Sequence, residues 1–264
     1  MRTSDRSYRR HARLISAAVL SAAIFGMILA LTVLVFNPLD NDALSLVMLL
    51  FFGPLIIWIA RRFKQAKARL TYARIDAQQY PDIHQLVQRF SREVELRGFP
   101  AAFLITDAST NPCAGELNTR PCVRIGSDFF AGCRENDTPE ALEFMVAHQI
   151  AHLKAGHTSH WWAMVVSSVR FVPVLNALVA RQMEFHADYL AARMSPQGAG
   201  LAIGLCQVGK DNFPYLNPEV QYDSGVSSSG FWAWIAKWSS IEVSPSERYA
   251  RLVDAGLVPQ KPEE

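Results

Sequence analysis

The chain opens with two unbroken apolar runs and then settles into helical periodicity broken by short apolar bursts. Leu14 to Phe36 spans 23 residues without a charge, and Ala43 to Ala60 another 18. At about 1.5 Å per residue a helix over the first run covers the roughly 30 Å hydrocarbon core of a bilayer. It is also longer than the apolar stretch of a cleaved signal peptide. The second run holds Gly53 and Pro54, which membrane helices tolerate. Together they predict a transmembrane helical hairpin over 14–36 and 43–60.

Beyond the hairpin, residues 61–80 keep a basic, helical character up to Pro81, and Ile83, Leu86, Val87, Phe90 and Val94 then recur at spacings of three and four, which predicts a second helix. Ala101 to Thr106 and Cys122 to Ile125 are short apolar runs bounded by turn residues. They predict a small sheet or hairpin, with a loop over Asn111 to Pro121. Thr138 is placed to cap a helix with Pro139 at its first position, running without a breaker to Ala155 and ended by Gly156. Trp161 to Ala180 is a third apolar run. Arg170 near its centre would cost at least about 2.5 kcal/mol inside a bilayer, so a buried or interfacial helix is expected there, leading into a helix over Arg181 to Arg193. Residues 210–230 are rich in Asn, Asp, Ser, Gly and Pro and read as a mobile loop. Phe231, Trp232, Trp234 and Trp238 form an aromatic patch expected in the core, and Ser244-Pro245 opens a last helix to about Ala255.

Composition narrows the class. Of 264 residues, 50% are hydrophobic and 19% charged, which excludes a disordered or collagen-like chain. A net charge of +2 gives no reason to expect a nucleic-acid partner. Arg2, Arg6, Arg9, Arg10 and Arg13 precede the first apolar run, and Arg61, Arg62, Lys64, Lys67 and Arg69 follow the second. Asp40 and Asp42 lie between. Basic flanks stay on the cytoplasmic side, so residues 1–60 read as a tail and membrane anchor and 61–264 as a cytoplasmic domain. The lipid bilayer would be a partner and the localisation an integral membrane protein, as in a bacterial inner membrane. The four cysteines show no CxxC pairing, and in a reducing compartment they are expected as thiols rather than bridges.

The chemistry concentrates at His148-Gln149-Ile150-Ala151-His152 within the helix that begins at Thr138. Histidines at i and i+4 lie one turn apart on one face, close enough for both imidazoles to reach one metal ion. A tetrahedral catalytic zinc takes three protein ligands and keeps one position open, and Glu184, 32 residues after His152, can supply the third. Asp188, one turn further on, is placed to accept from a ligand imidazole and fix its tautomer. His157 falls on the same side of its helix and is expected as a cap or surface histidine, and His160 at a helix start.

The stretches VAHQIAHLKAGH at 146–157 and RQMEFHADYLAAR at 181–193 resemble the HExxH and ExxxD helices of the membrane-anchored zinc metallopeptidases that include the heat-shock protease HtpX and the CAAX prenyl protease. The likeness covers about residues 100–195. It implies an α+β, mostly helical zincin-like metallopeptidase domain with a small β-sheet below the transmembrane hairpin. It also implies one Zn²⁺ held by His148, His152 and Glu184, and a peptide or protein substrate lying as an extended strand near Pro112, Cys113, Ala114 and Gly115. Tyr249, Arg248 and His157 are candidates to stabilise the oxyanion. Where the family usually has a His-Pro pair before its last helix, this chain has Ser244-Pro245.

One position departs from that family in a way that bears on activity. The HExxH glutamate takes a proton from the attacking water and passes it to the leaving amine, and Gln149 stands in its place. The expectation is a zinc-dependent endopeptidase in an inactive Glu-to-Gln form. Two alternatives remain: a natural zinc-binding pseudoprotease acting as a membrane peptide-binding or adaptor protein, and a membrane adaptor whose histidines are structural.

Overall fold

The structure, a computed structural model, describes residues 70–106, 122–157, 173–227, 230–239 and 243–258, with isolated positions between 28 and 66. Strand β1 (Ala73–Ile75) pairs antiparallel with β2 (Ala101–Ile105), which pairs parallel with β3 (Cys122–Gly126). The register sets Ile75 opposite Ala102, and Leu104 opposite Ile125. A parallel pair cannot close through a tight turn, so the sheet alternative holds and the hairpin alternative falls. The described positions of 61–71 are helical, as expected; β1 corrects the helical reading beyond them, because pairing with the edge of β2 outweighs local propensity and buries Ile75.

Helix α1 (Pro81–Glu93) starts at the expected proline and buries Ile83, Val87 and Phe90. After β3 the chain enters α2 (Ser127–Glu135) and then α3 (Pro139–Lys154). Thr138 precedes α3, although its hydroxyl makes no hydrogen bond into the helix. From Phe144 through His152 every residue of α3 is buried, so α3 is the central helix rather than an amphipathic surface one. It packs against α1, α2 and β3, and against α4 (Pro173–Met194) and α5 (Gly198–Val208). Phe90, Phe144, Met145, Val123 and Ile125 fill the interior between helices and sheet, each worth about 1.5–3 kcal/mol of burial.

The polar stretch 210–230 is largely helical. A 3₁₀ turn at Phe213–Tyr215 precedes α6 (Pro218–Ser227). The Asn217 side chain caps α6 by accepting from the backbone N–H of Glu219 at 2.9 Å. Gly225, which reads as a loop residue, lets α6 approach α8 (Pro245–Asp254), since a Cβ there would stand 2.2 Å from the Ser246 carbonyl oxygen. Between them, α7 (Phe231–Ser239) packs on α4. Phe231, Trp232 and Trp234 are exposed, contrary to the expected core placement. Cys122, Cys133 and Cys206 are thiols, as expected.

The membrane reading is corrected. A span needs about 20 consecutive apolar residues in one helix, and among the described residues no helix is long and apolar enough to cross a membrane. The stretch 14–36 lies mostly outside the described residues, and half of 43–60 does. The fold class is therefore a mostly helical domain with a three-stranded sheet. The transmembrane hairpin, and with it the integral-membrane placement, is withdrawn.

Candidate metal centre

Helices α3 and α4 lie side by side at the centre of the domain and bring His148, His152 and Glu184 together. The imidazole Nε2 atoms of His148 and His152 are 3.1 Å apart. Glu184 reaches both, with Oε2 3.4 Å from His148 Nε2 and Oε1 3.4 Å from His152 Nε2. All three ligand atoms lie within 4.8 Å of one another, and the group could hold a metal ion. His148 is fully buried and His152 nearly so, whereas 17% of the Glu184 side chain is exposed. Glu184 Oε2 is itself a buried oxygen with no hydrogen-bond partner. The cationic groups around it stand at ion-pair distance, His148 Nε2 at 3.4 Å and Arg248 Nη2 at 3.9 Å, and a buried carboxylate oxygen is stabilised further by a cation that meets it directly.

Behind the ligands stands a buried ion pair. His148 Nδ1 is 2.9 Å from Asp188 Oδ1, an ion-pair distance at which the two groups fall short of an aligned hydrogen bond. Asp188 in turn accepts from Arg248 Nε at 2.7 Å and from Nη2 at 2.5 Å. Arg248 also lies 3.9 Å from Glu184 Oε2. A second pair between the same helices, Arg181 Nη1 to Glu247 Oε2 at 2.6 Å, sets the orientation of α8 along α4.

The charges respond to this enclosure. Burial acts against the cationic form of His148, yet the Asp188 and Glu184 carboxylates outweigh it and push its pKa up to about 9. Burial would raise Glu184, but the His152 and His148 imidazoles hold it well below the usual carboxylate range. For Asp188 burial is again opposed, here chiefly by Arg248, and the pKa is lowered. With the second carboxylate neutralised by Arg248, the pocket of His148, His152 and Glu184 keeps an anionic oxygen aimed at its own centre.

No family model, no curated protein and no solved structure matches the chain. The resemblance to the HtpX and CAAX prenyl protease family rests on the two motif stretches alone.

Of the residues picked out in the sequence, His148, His152, Glu184 and Asp188 converge on one centre. Gln149 is buried beside His148 in α3. Pro112, Cys113, Ala114, Gly115 and His160 lie outside the described residues. The three oxyanion candidates have other contacts. Arg248 is engaged with Asp188, Tyr249 is buried beside Gly200 in the apolar core, and His157 is enclosed against His152, with Nδ1 to Nδ1 at 3.1 Å. The sequence reading missed both Arg248 as the partner of Asp188 and His157 as a buried group. For His157 a signal was present. Gly156 adopts φ +76°, its N–H bonds to the Leu153 carbonyl at 3.2 Å, and the His157 N–H bonds to the His152 carbonyl at 3.1 Å. This is a Schellman ending, in which the residue after the glycine packs back on the residue five positions before it.

Proposed function

We propose that the chain is a zinc-dependent endopeptidase domain which, with Gln149 in place, binds peptide without cutting it. The observation that supports it is the group of two imidazoles and one carboxylate that could hold a metal ion, backed by the buried Asp188–Arg248 pair. The donor set suits zinc: the two imidazole nitrogens, 3.1 Å apart, match the roughly 3.3 Å edge of a tetrahedron with 2.0–2.1 Å bonds, and one oxygen of Glu184 lies within 4.8 Å of both. When bound, zinc supplies Lewis acidity that polarises a scissile carbonyl and makes water a better nucleophile at neutral pH.

The chain's own residues do the rest. Asp188 keeps the proton of His148 on Nδ1, so that Nε2 presents a lone pair to the centre. Arg248 neutralises Asp188 and reaches the edge of the site, 3.9 Å from Glu184 Oε2. Gln149 has the shape of a glutamate but no carboxylate, so it neither takes a proton from water nor delivers one to a departing amine. Loss of such a group lowers turnover by roughly 10² to 10⁴. Because shape is retained, binding and hydrolysis come apart at this one position.

The test is a casein or peptide cleavage assay of the chain beside its Gln149→Glu variant, with and without chelator. A chelator-sensitive gain in the variant is expected. A variant that takes up zinc and binds peptide but cuts nothing would overturn the peptidase reading in favour of a peptide-binding pseudoprotease.

A further inference from the structure

We infer that His157 is a positioning residue for the metal ligand His152, acting through a relay of three buried imidazoles that runs through His157 to His186. The inference deepens the zinc reading above and rests on it.

His148 and His152 are not supported alike. The far nitrogen of His148 faces a carboxylate, the usual arrangement behind a metal-bound histidine. That of His152 faces another imidazole, His157 Nδ1 at 3.1 Å, and His157 Nε2 lies 3.4 Å from His186 Nδ1. The rings meet edge to face, with centroids 5.1 and 5.3 Å apart. His157 and His186 are 5% and 7% exposed, so neither is a surface histidine that happens to lie nearby.

The direction of the relay follows from valence. His152 can offer Nε2 to a metal only if its proton sits on Nδ1. That N–H then donates to the lone pair on His157 Nδ1. A neutral His157 accepting there carries its own proton on Nε2, and so donates to His186 Nδ1. Each tautomer fixes the next. The backbone prepares the first step, since the Schellman turn at Gly156 folds His157 under the end of α3 and fills the usual apolar contact of that motif with two imidazoles. The second step returns to α4, where His186 stands two residues after Glu184. One helix therefore supplies the carboxylate ligand and the support of the opposite imidazole. A neutral relay also adds no second carboxylate, so the centre keeps a single ligand charge from Glu184.

The test measures zinc affinity by competition with a chromophoric chelator for the chain and for His157→Ala, His157→Asn and His157→Gln, with folding followed by circular dichroism. An Asn side chain can place an acceptor where Nδ1 stands, whereas Gln places one nearer the position of Nε2. The expected result is a loss of about 10- to 100-fold for Ala and Gln with near-complete recovery in Asn. Long-range proton–nitrogen NMR should show the Nδ1–H tautomer of His152 in the metal-free chain and in His157→Asn, and lose that preference in His157→Gln. If Ala does not fold, the Asn and Gln pair decides. Equal affinity in Asn and Gln, or unchanged affinity in a folded Ala variant, overturns the inference. A chain that takes up no zinc at all overturns the metal reading instead.

Discussion

Asp188 receives both donors of the Arg248 guanidinium, Nε at 2.7 Å and Nη2 at 2.5 Å, with the two side chains 2% and 4% exposed. Removing the cation strands a carboxylate in the interior. Arg248→Met should therefore cost about 3–5 kcal/mol of unfolding free energy, read from denaturant melts. Arg248→Lys should recover only part of it, because an ammonium cannot make the two parallel contacts. A Met variant as stable as the parent would show that the pair contributes nothing net.

The same carboxylate faces His148, so a variant that keeps its shape tests its second role. Asp188→Asn should bind zinc about 10- to 100-fold more weakly, while His148→Ala and Glu184→Ala should lose it outright. Metal content by elemental analysis, with affinity by chelator competition, reads both effects. Full zinc occupancy in a His148→Ala, Glu184→Ala double variant would remove these residues from the ligand set.

Without metal, stability should peak near neutral pH. His148 is raised to about 9, so between about 6.5 and 9 the folded state holds a proton that the unfolded chain has released. That contribution is complete below about 6.5 and is lost as pH rises through 9. His157 moves the other way, held down at about 2 by burial first and by the neighbouring His152 and His186 next. Here the unfolded chain binds the extra proton, and stability falls as pH drops below about 6.5. Denaturant midpoints in chelator at pH 5, 6.5 and 9 should trace this maximum, and added zinc should abolish the alkaline decline because it requires a neutral His148. A chelated protein whose stability rises from pH 6.5 to 9 contradicts the assignment.

Gly198 marks where α5 crosses α3. A Cβ at this position would lie 1.8 Å from the Glu140 carbonyl oxygen and 2.9 Å from the Phe144 Cβ. Backbone cannot move aside as a side-chain tip can, so Gly198→Ala should cost about 1–3 kcal/mol or more despite the better helix propensity of alanine. A gain in stability in thermal melts would mean that the helices separate more easily than the close crossing implies.

Legibility in the sequence followed the physics of each element. The α3 and α4 helices could be read because helical spacing pairs His148 with His152 and Glu184 with Asp188, while the meeting of the two pairs was implied by the resemblance of the two stretches to a HExxH and an ExxxD helix. α1 and α8 each announced themselves by a proline at the first turn. What escaped depended on contacts distant in sequence. β1 exists because β2 offers it an edge, and α6 is helical although its composition is that of a loop, with Gly225 selected by the neighbouring Ser246 backbone. Arg248 lies 60 residues from Asp188, and no local pattern joins them. His157 was within reach, since a glycine at the helix end implies that the next side chain turns back.

The Asp188–Arg248 pair also imposes an order on biosynthesis. The ribosome delivers His148, His152, Glu184 and Asp188 before Arg248, because synthesis runs from the N-terminus. Until α8 emerges, a folded α3–α4 pair would enclose Asp188 with the His148 imidazole but without its Arg248 partner, which disfavours closure of the two helices. The nascent chain therefore keeps its ligands apart until nearly all of the described domain has been made. A metal bound by this group would be taken up late in translation, with the last described helix as its timing signal.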